Sequence, residues 1–120
     1  MDKGFEQILV WKKARQLNKE IYQLTSKNSF SKDFALRDQI RRASISVSSN
    51  IAEGYGRKTN KEFLYFLGVA KASCYEVKSQ LYLALDVEYL NKTEFDKAFF
   101  ICEEIAKMVH GLAKHLESKF

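Results

Sequence analysis

Proline is absent from the sequence. Loop-rich and β-rich folds place proline in their turns, so its absence favours long uninterrupted helices. Cysteine is scarce: Cys74 and Cys102 are the only two, with no Cys-x-x-Cys pair and no Cys/His cluster for a metal. Both fall on apolar helical faces, as reduced core residues of a cytosolic protein would. No run approaches the roughly 18 apolar residues of a membrane span, and Met1-Asp2-Lys3-Gly4 leads into charged, amphipathic sequence with no signal-peptide core. The expectation is a cytoplasmic protein with no membrane partner. An acidic excess is also missing. The net charge is +5, and residues 1–60 carry twelve Lys and Arg against six Asp and Glu, while residues 61–120 carry eight against nine. A basic half suits a polyanionic partner, although a solvated basic surface gives the same count.

Catalytic constellations are lacking as well. Helical bundles that hold two metal ions use Glu-x-x-His, but Lys107 stands three before His110 and Leu112 three before His115. No Ser-His-Asp or Cys-His pairing has supporting context. Gly54-Tyr55-Gly56-Arg57-Lys58-Thr59 lacks phosphate-loop spacing, and no strand precedes it. The expectation is a protein that is not an enzyme and uses no metal and no cofactor.

What is present is helical periodicity. Four segments carry apolar stripes at the 3.6-residue repeat, which predicts helices over about residues 5–25, 33–53, 60–88 and 93–118 of a single domain spanning 1–120. Asp33 or Ser31 can cap the second segment, and Gly54 supplies its stop. Thr59 with Glu62 forms a capping box for the third, and Thr93 caps the fourth. Ala43 to Ser49 alternates like a strand, but the helical stripe spans the whole segment and no partner strand is near. Connections this short make neighbours antiparallel, so the fold class is all-α, an up-and-down four-helix bundle.

Three surface or seam patterns stand out. Arg37, Arg41 and Arg42 lie on the outward side of the second helix. Arg57 and Lys58 lie beside the N-terminus of the third, while Lys12, Arg15 and Lys19 share a face of the first. These eight are the candidate nucleic-acid contacts, since guanidinium forks match phosphate oxygens; pairing with Asp33, Asp38 or other acids is the alternative. Gln39, Ser46, Asn50 and Glu53 line up beside an apolar stripe, as a buried polar network fixing register or as a ligand pocket. Tyr65, Gly68, Ala72, Tyr75, Ser79 and Tyr82 follow helical spacing on the third helix. Small residues between tyrosines suit a subunit interface, and the stripe lacks the interleaved Lys and Arg of a base-stacking surface.

The run from Gln39 to Arg57, with Asn50-Ile51-Ala52-Glu53-Gly54 at its centre, resembles the signature of the bacterial four helix bundle protein family. Members of that family include proteins encoded by intervening sequences inside large-subunit ribosomal RNA genes. Phe5, Trp11, Ala14 and Leu17 match early in the chain, and Phe63, Ala70, Ser73 and Glu76 later. Ser31 departs from the pattern, where the family has proline. The resemblance implies a left-handed bundle that assembles as a homopentameric ring. The accessory protein of diversity-generating retroelements is similar, and such a ring binds nucleic acid and a reverse transcriptase. The reading that follows is a homo-oligomeric bundle binding RNA or DNA, structured RNA first, through charge. The alternative is a protein-interaction scaffold with a protein partner and no nucleic-acid role.

Overall fold

The structure, a computed structural model, describes residues 4–119. Four helices carry the fold: α1 (Leu9–Thr25), α2 (Phe34–Tyr55), α3 (Asn60–Asp86) and α4 (Lys92–Glu117), with 3-10 turns at Phe5–Gln7 and Asn28–Lys32 and no strand among the described residues. α1 packs on α2, α2 on α3, α3 on α4, and α4 closes on α1. The result is an antiparallel four-helix bundle, 47 Å long and about half as wide. Among the described residues, no helix is long and apolar enough to cross a membrane.

The stripes become the core. Ala14, Leu17 and Ile21 of α1 are fully buried, as are Ile40, Val47 and Ile51 of α2, Ala70, Cys74, Val77 and Leu81 of α3, and Cys102 and Ile105 of α4. Each helix alone would leave such a stripe in water, so packing rather than propensity stabilises all four. Burial pushes the Cys74 thiol up to about 12 and raises that of Cys102 further, with Cys74 itself as a second cause.

The helix ends differ from the sequence reading in several places. α1 begins at Leu9, not residue 5: the chain turns once at Phe5–Gln7, then extends at Ile8, and the Phe5 ring meets Trp11 edge-on at 4.9 Å. Gly54 does not stop α2. It lies buried inside the helix, and a Cβ there would sit 2.8 Å from Phe66 Cβ and 2.9 Å from Phe63 Cδ1. That glycine serves the close approach of α2 to α3, and α2 ends one residue later with Gly56 as its C-cap. At α3 the Thr59 hydroxyl accepts from the Glu62 amide at 3.1 Å, but Glu62 returns to the hydroxyl at 3.3 Å rather than to the Thr59 amide. α3 itself closes at Asp86, and Glu88 takes a left-handed turn conformation (φ 65°). Asn91, not Thr93, caps α4: it accepts from the Glu94 amide at 2.8 Å while Glu94 accepts from the Asn91 amide at 3.0 Å.

Asp33 caps α2, accepting from the Leu36 amide at 3.1 Å, and its second oxygen accepts from the Tyr89 hydroxyl at 2.8 Å. The Tyr89 ring stacks on buried Phe30 at 5.2 Å. One carboxylate thus caps a helix and ties the α1–α2 connection to the α3–α4 connection.

Candidate nucleic-acid interface

Two contacts set the register of α1 against α2. The Asn18 amide donates to Ser48 Oγ at 2.9 Å and accepts from Ser44 Oγ at 2.7 Å. One turn from the end of the seam, Arg41 Nε donates to Thr25 Oγ1 at 2.7 Å. This antiparallel register divides the eight basic candidates. Lys19, Arg37, Arg41 and Arg42 lie toward the C-terminal half of α1, while Lys12, Arg15, Arg57 and Lys58 lie toward its N-terminus. Arg41 lies fourteen residues before the end of α2 at Tyr55, about 21 Å of helix rise, and Arg57 lies just beyond that end. The basic face is therefore long, with a cluster near each end.

The eight also differ in what holds them. Arg37 is tied to Asp38 at 2.9 Å and to the Ser31 carbonyl at 3.1 Å, over the Phe34 ring. Its guanidinium is the chief cause holding the Asp38 carboxyl below its usual value. Arg57 pairs with Glu53 at 3.6 Å and lies over Phe66. The other six, Lys12, Arg15, Lys19, Arg41, Arg42 and Lys58, have no ion-pair partner among the described residues. Some cations outside this set are paired: Lys13 with Glu104 at 2.8 Å, Lys97 with the buried Glu20 at 3.3 Å, and Lys92 with Asp96 at 2.6 Å.

Arg41 is immobilised without being neutralised. Thr25 Oγ1 accepts its Nε–H and donates onward to the Ile21 carbonyl at 2.7 Å. Ser26 Oγ accepts from Nη2 at 3.2 Å and donates to the Tyr22 carbonyl at 2.7 Å. The Tyr22 carbonyl is among the last four of α1, which helix geometry leaves without helical partners. The guanidinium carbon stands 4.3 Å above the centre of the Tyr22 ring. A guanidinium has five N–H donors, so three of them point to no acceptor among the described residues. Arg15 repeats the theme more loosely, 5.9 Å over Trp11.

The polar line on α2 is divided by the structure. Asn50 Nδ2 donates to the Ser46 carbonyl at 2.7 Å and to Ser46 Oγ at 2.9 Å, and Ser46 Oγ accepts from the buried Ser73 at 2.8 Å, across to α3. Gln39 and Glu53 are instead exposed. The expectation of one four-residue buried network is corrected to a Ser46–Asn50–Ser73 seam. The sequence reading missed the Asn18–Ser44–Ser48 seam and the Tyr22–Thr25 end of α1. Ser44 and Ser48, one turn apart beside the apolar stripe, were the available signal for the first. Trp11, Arg15, Asn18 and Tyr22, spaced four, three and four, were the signal for the second.

On α3, Tyr65, Gly68, Ala72, Tyr75, Ser79 and Tyr82 are all exposed and share the face opposite the core, which Leu83 extends. Tyr65, Tyr75 and Tyr82 keep 67%, 54% and 52% of their surface, much of it aromatic ring in water. Tyr82 still leans on Phe95 and Phe99 of α4, at 5.0 and 5.5 Å. Among the described residues, no cluster of three His, Cys, Asp or Glu side chains is placed to hold a metal ion.

The comparisons follow the same outline. A solved structure described as a protein of unknown function from the S23 ribosomal protein family, from Bacteroides thetaiotaomicron VPI-5482, superposes with a TM-score of 0.81 at 23% identity. The match covers 88% of this chain and 99% of that one, and at this identity it establishes the fold. No curated protein matches the sequence. The profile of the 23S rRNA-intervening sequence protein family matches residues 6–111, nearly the whole bundle. The chain belongs to the 23S rRNA-intervening sequence protein family.

Proposed function

We propose that this protein is a non-enzymatic, homo-oligomeric bundle of the cytoplasm that binds structured RNA by its phosphate backbone. The observation that carries this reading is the set of six cations on α1, α2 and the α2–α3 turn with no carboxylate partner among the described residues, in the half of the chain that carries twelve Lys and Arg against six Asp and Glu. Uncompensated charge on one face is what counterion release needs. Self-association rests on a separate feature, the α3 face: a monomer would expose three tyrosines and Leu83 on one helix with small residues between them. A ring, the pentamer implied by family resemblance, would repeat the basic face by symmetry and sum its field. If the α3 face receives another protein instead, the molecule is a scaffold.

Titrating a labelled rRNA hairpin and a DNA duplex of equal length over a range of salt tests the reading. Affinity should fall with salt at a log–log slope of roughly 0.7–0.9 per phosphate contact. Lys19→Glu with Arg42→Glu should weaken binding at least tenfold while helicity and mass stay constant. Arg41 is a poorer choice for charge reversal, because it is hydrogen-bonded into the end of α1. Absence of binding to either probe at low salt refutes the nucleic-acid reading.

A further inference from the structure

The Tyr22 ring divides two shallow depressions at one end of the α1–α2 seam. One, about 740 Å³, is lined by Lys19, Tyr22, Gln23, Ser26 and Lys27. The other, about 210 Å³, is lined by Tyr22, Asp38, Arg41, Arg42 and Ile45. Tyr22 is 42% exposed, with a fixed guanidinium over its ring. Aromatic and guanidinium planes are the two surfaces on which unpaired bases stack. Here both belong to one rigid unit, since Arg41 is held by Thr25 and Ser26 and needs no ordering when a ligand arrives.

We infer that the Tyr22–Arg41 stack is a seat for one unpaired nucleobase of a bound RNA, with Lys19 and Arg42 holding the phosphates on either side of it. This rests on the RNA-binding reading above and adds to it a preference for bulged or looped RNA over continuous duplex. Lys19 and Arg42 are exposed, unpaired among the described residues, and flank the ring from the two depressions. Asp38 lies in the same depression as Arg42 and feels the charges of Arg42 and Arg41, but it makes no ion pair with either. Asp38 is engaged by Arg37 at 2.9 Å, and Lys27 reaches Glu94 only at 3.7 Å. The tyrosines of α3 offer no such arrangement, for among Tyr65, Tyr75 and Tyr82 only Tyr75 has a cation over its ring, Lys78 at 5.5 Å. A duplex keeps its bases stacked inside and can use only the cations, whereas an extruded base gains the ring as well.

Two RNA hairpins of equal stem length test this, one fully paired and one carrying a single bulged 2-aminopurine. The wild-type protein should bind the bulged hairpin about tenfold more tightly, within the range base–aromatic stacking supplies, and quench the 2-aminopurine emission. Tyr22→Leu should abolish both the preference and the quenching, while leaving affinity for the paired hairpin and its salt slope unchanged. Tyr22→Phe should retain both. Equal affinity of the wild-type protein for the two hairpins overturns the base seat while RNA binding stands. So does a preference and quench that survive Tyr22→Leu. Failure to bind either hairpin at low salt overturns the RNA reading and the seat together.

Discussion

Gly54→Ala should destabilise the bundle although alanine is the better helix former. Inside α2 the exchange gains about 1 kcal/mol of helix propensity. Against this, the new methyl would stand 2.8 Å from Phe66 Cβ and 2.9 Å from Phe63 Cδ1, where carbon atoms prefer about 3.5–4.0 Å. The Phe63 ring can turn, though it already meets Tyr55 edge-on. Phe66 Cβ is bonded to the α3 backbone, so relief there requires the two helices to part. Overpacking of this kind costs about 1–3 kcal/mol, which leaves a net loss of up to about 2 kcal/mol. Gly111→Ala is the matched control, because it too lies within a helix and a Cβ there meets nothing within 4 Å. It should gain up to about 1 kcal/mol. Urea unfolding at one fixed protein concentration, followed by circular dichroism, measures both, and the concentration must be common because self-association shifts apparent stability. The midpoints should move in opposite directions with unchanged slope. Equal shifts for the two substitutions would refute the argument that Gly54 exists for helix approach.

Four further outcomes are expected. Tyr75→Glu should lower the mass measured by light scattering after size exclusion without loss of helicity; an unchanged mass would clear the α3 face of any role in assembly. Asn18→Leu should cost about 1–3 kcal/mol in the same unfolding assay, since it leaves Ser44 and Ser48 without their shared partner, and a neutral result would show that the seam is wet. The Asp33 carboxyl is held below its usual 3.8 by the Leu36 amide first and the Tyr89 hydroxyl second, and Tyr89 is raised above 10.0 by Asp33. A lowered acid contributes stability that is lost as pH falls through its folded value, and a raised phenol contributes stability lost as pH rises through its own; the stability gap between wild type and Tyr89→Phe should thus be widest between about pH 4 and 10 and close at both extremes. Cys74 and Cys102, buried with their thiols pushed up, should react with a thiol reagent only after urea unfolding, and rapid labelling of the native protein would contradict their place in the core.

Periodicity alone determined the four helices, their antiparallel order and most of the core. That follows because an amphipathic stripe such as Ile40–Ala43–Val47–Ile51 has one way to leave water and short connections leave few topologies. Local chemistry also read well at Asp33 and Thr59, where a side chain reaches an amide three residues on. It failed at Gly54, since a glycine that ends a helix and one that admits a neighbouring helix look the same until Phe63 and Phe66 are in place. It failed at α4 too, where Asn91 and Thr93 are both competent caps and only the turn before them selects Asn91. The eight cations were visible as residues, but their states were not. Whether an arginine is neutralised depends on what the folded chain brings to it: Glu53, in the last turn of α2, reaches Arg57 just beyond the helix end, whereas Arg41 meets the hydroxyls of Thr25 and Ser26 sixteen and fifteen residues away. The Tyr22–Arg41 stack is of the same kind, a product of the α1–α2 register. Composition counts charges and rings, but only packing decides which ring lies under which charge and whether a carboxylate is close enough to cancel it.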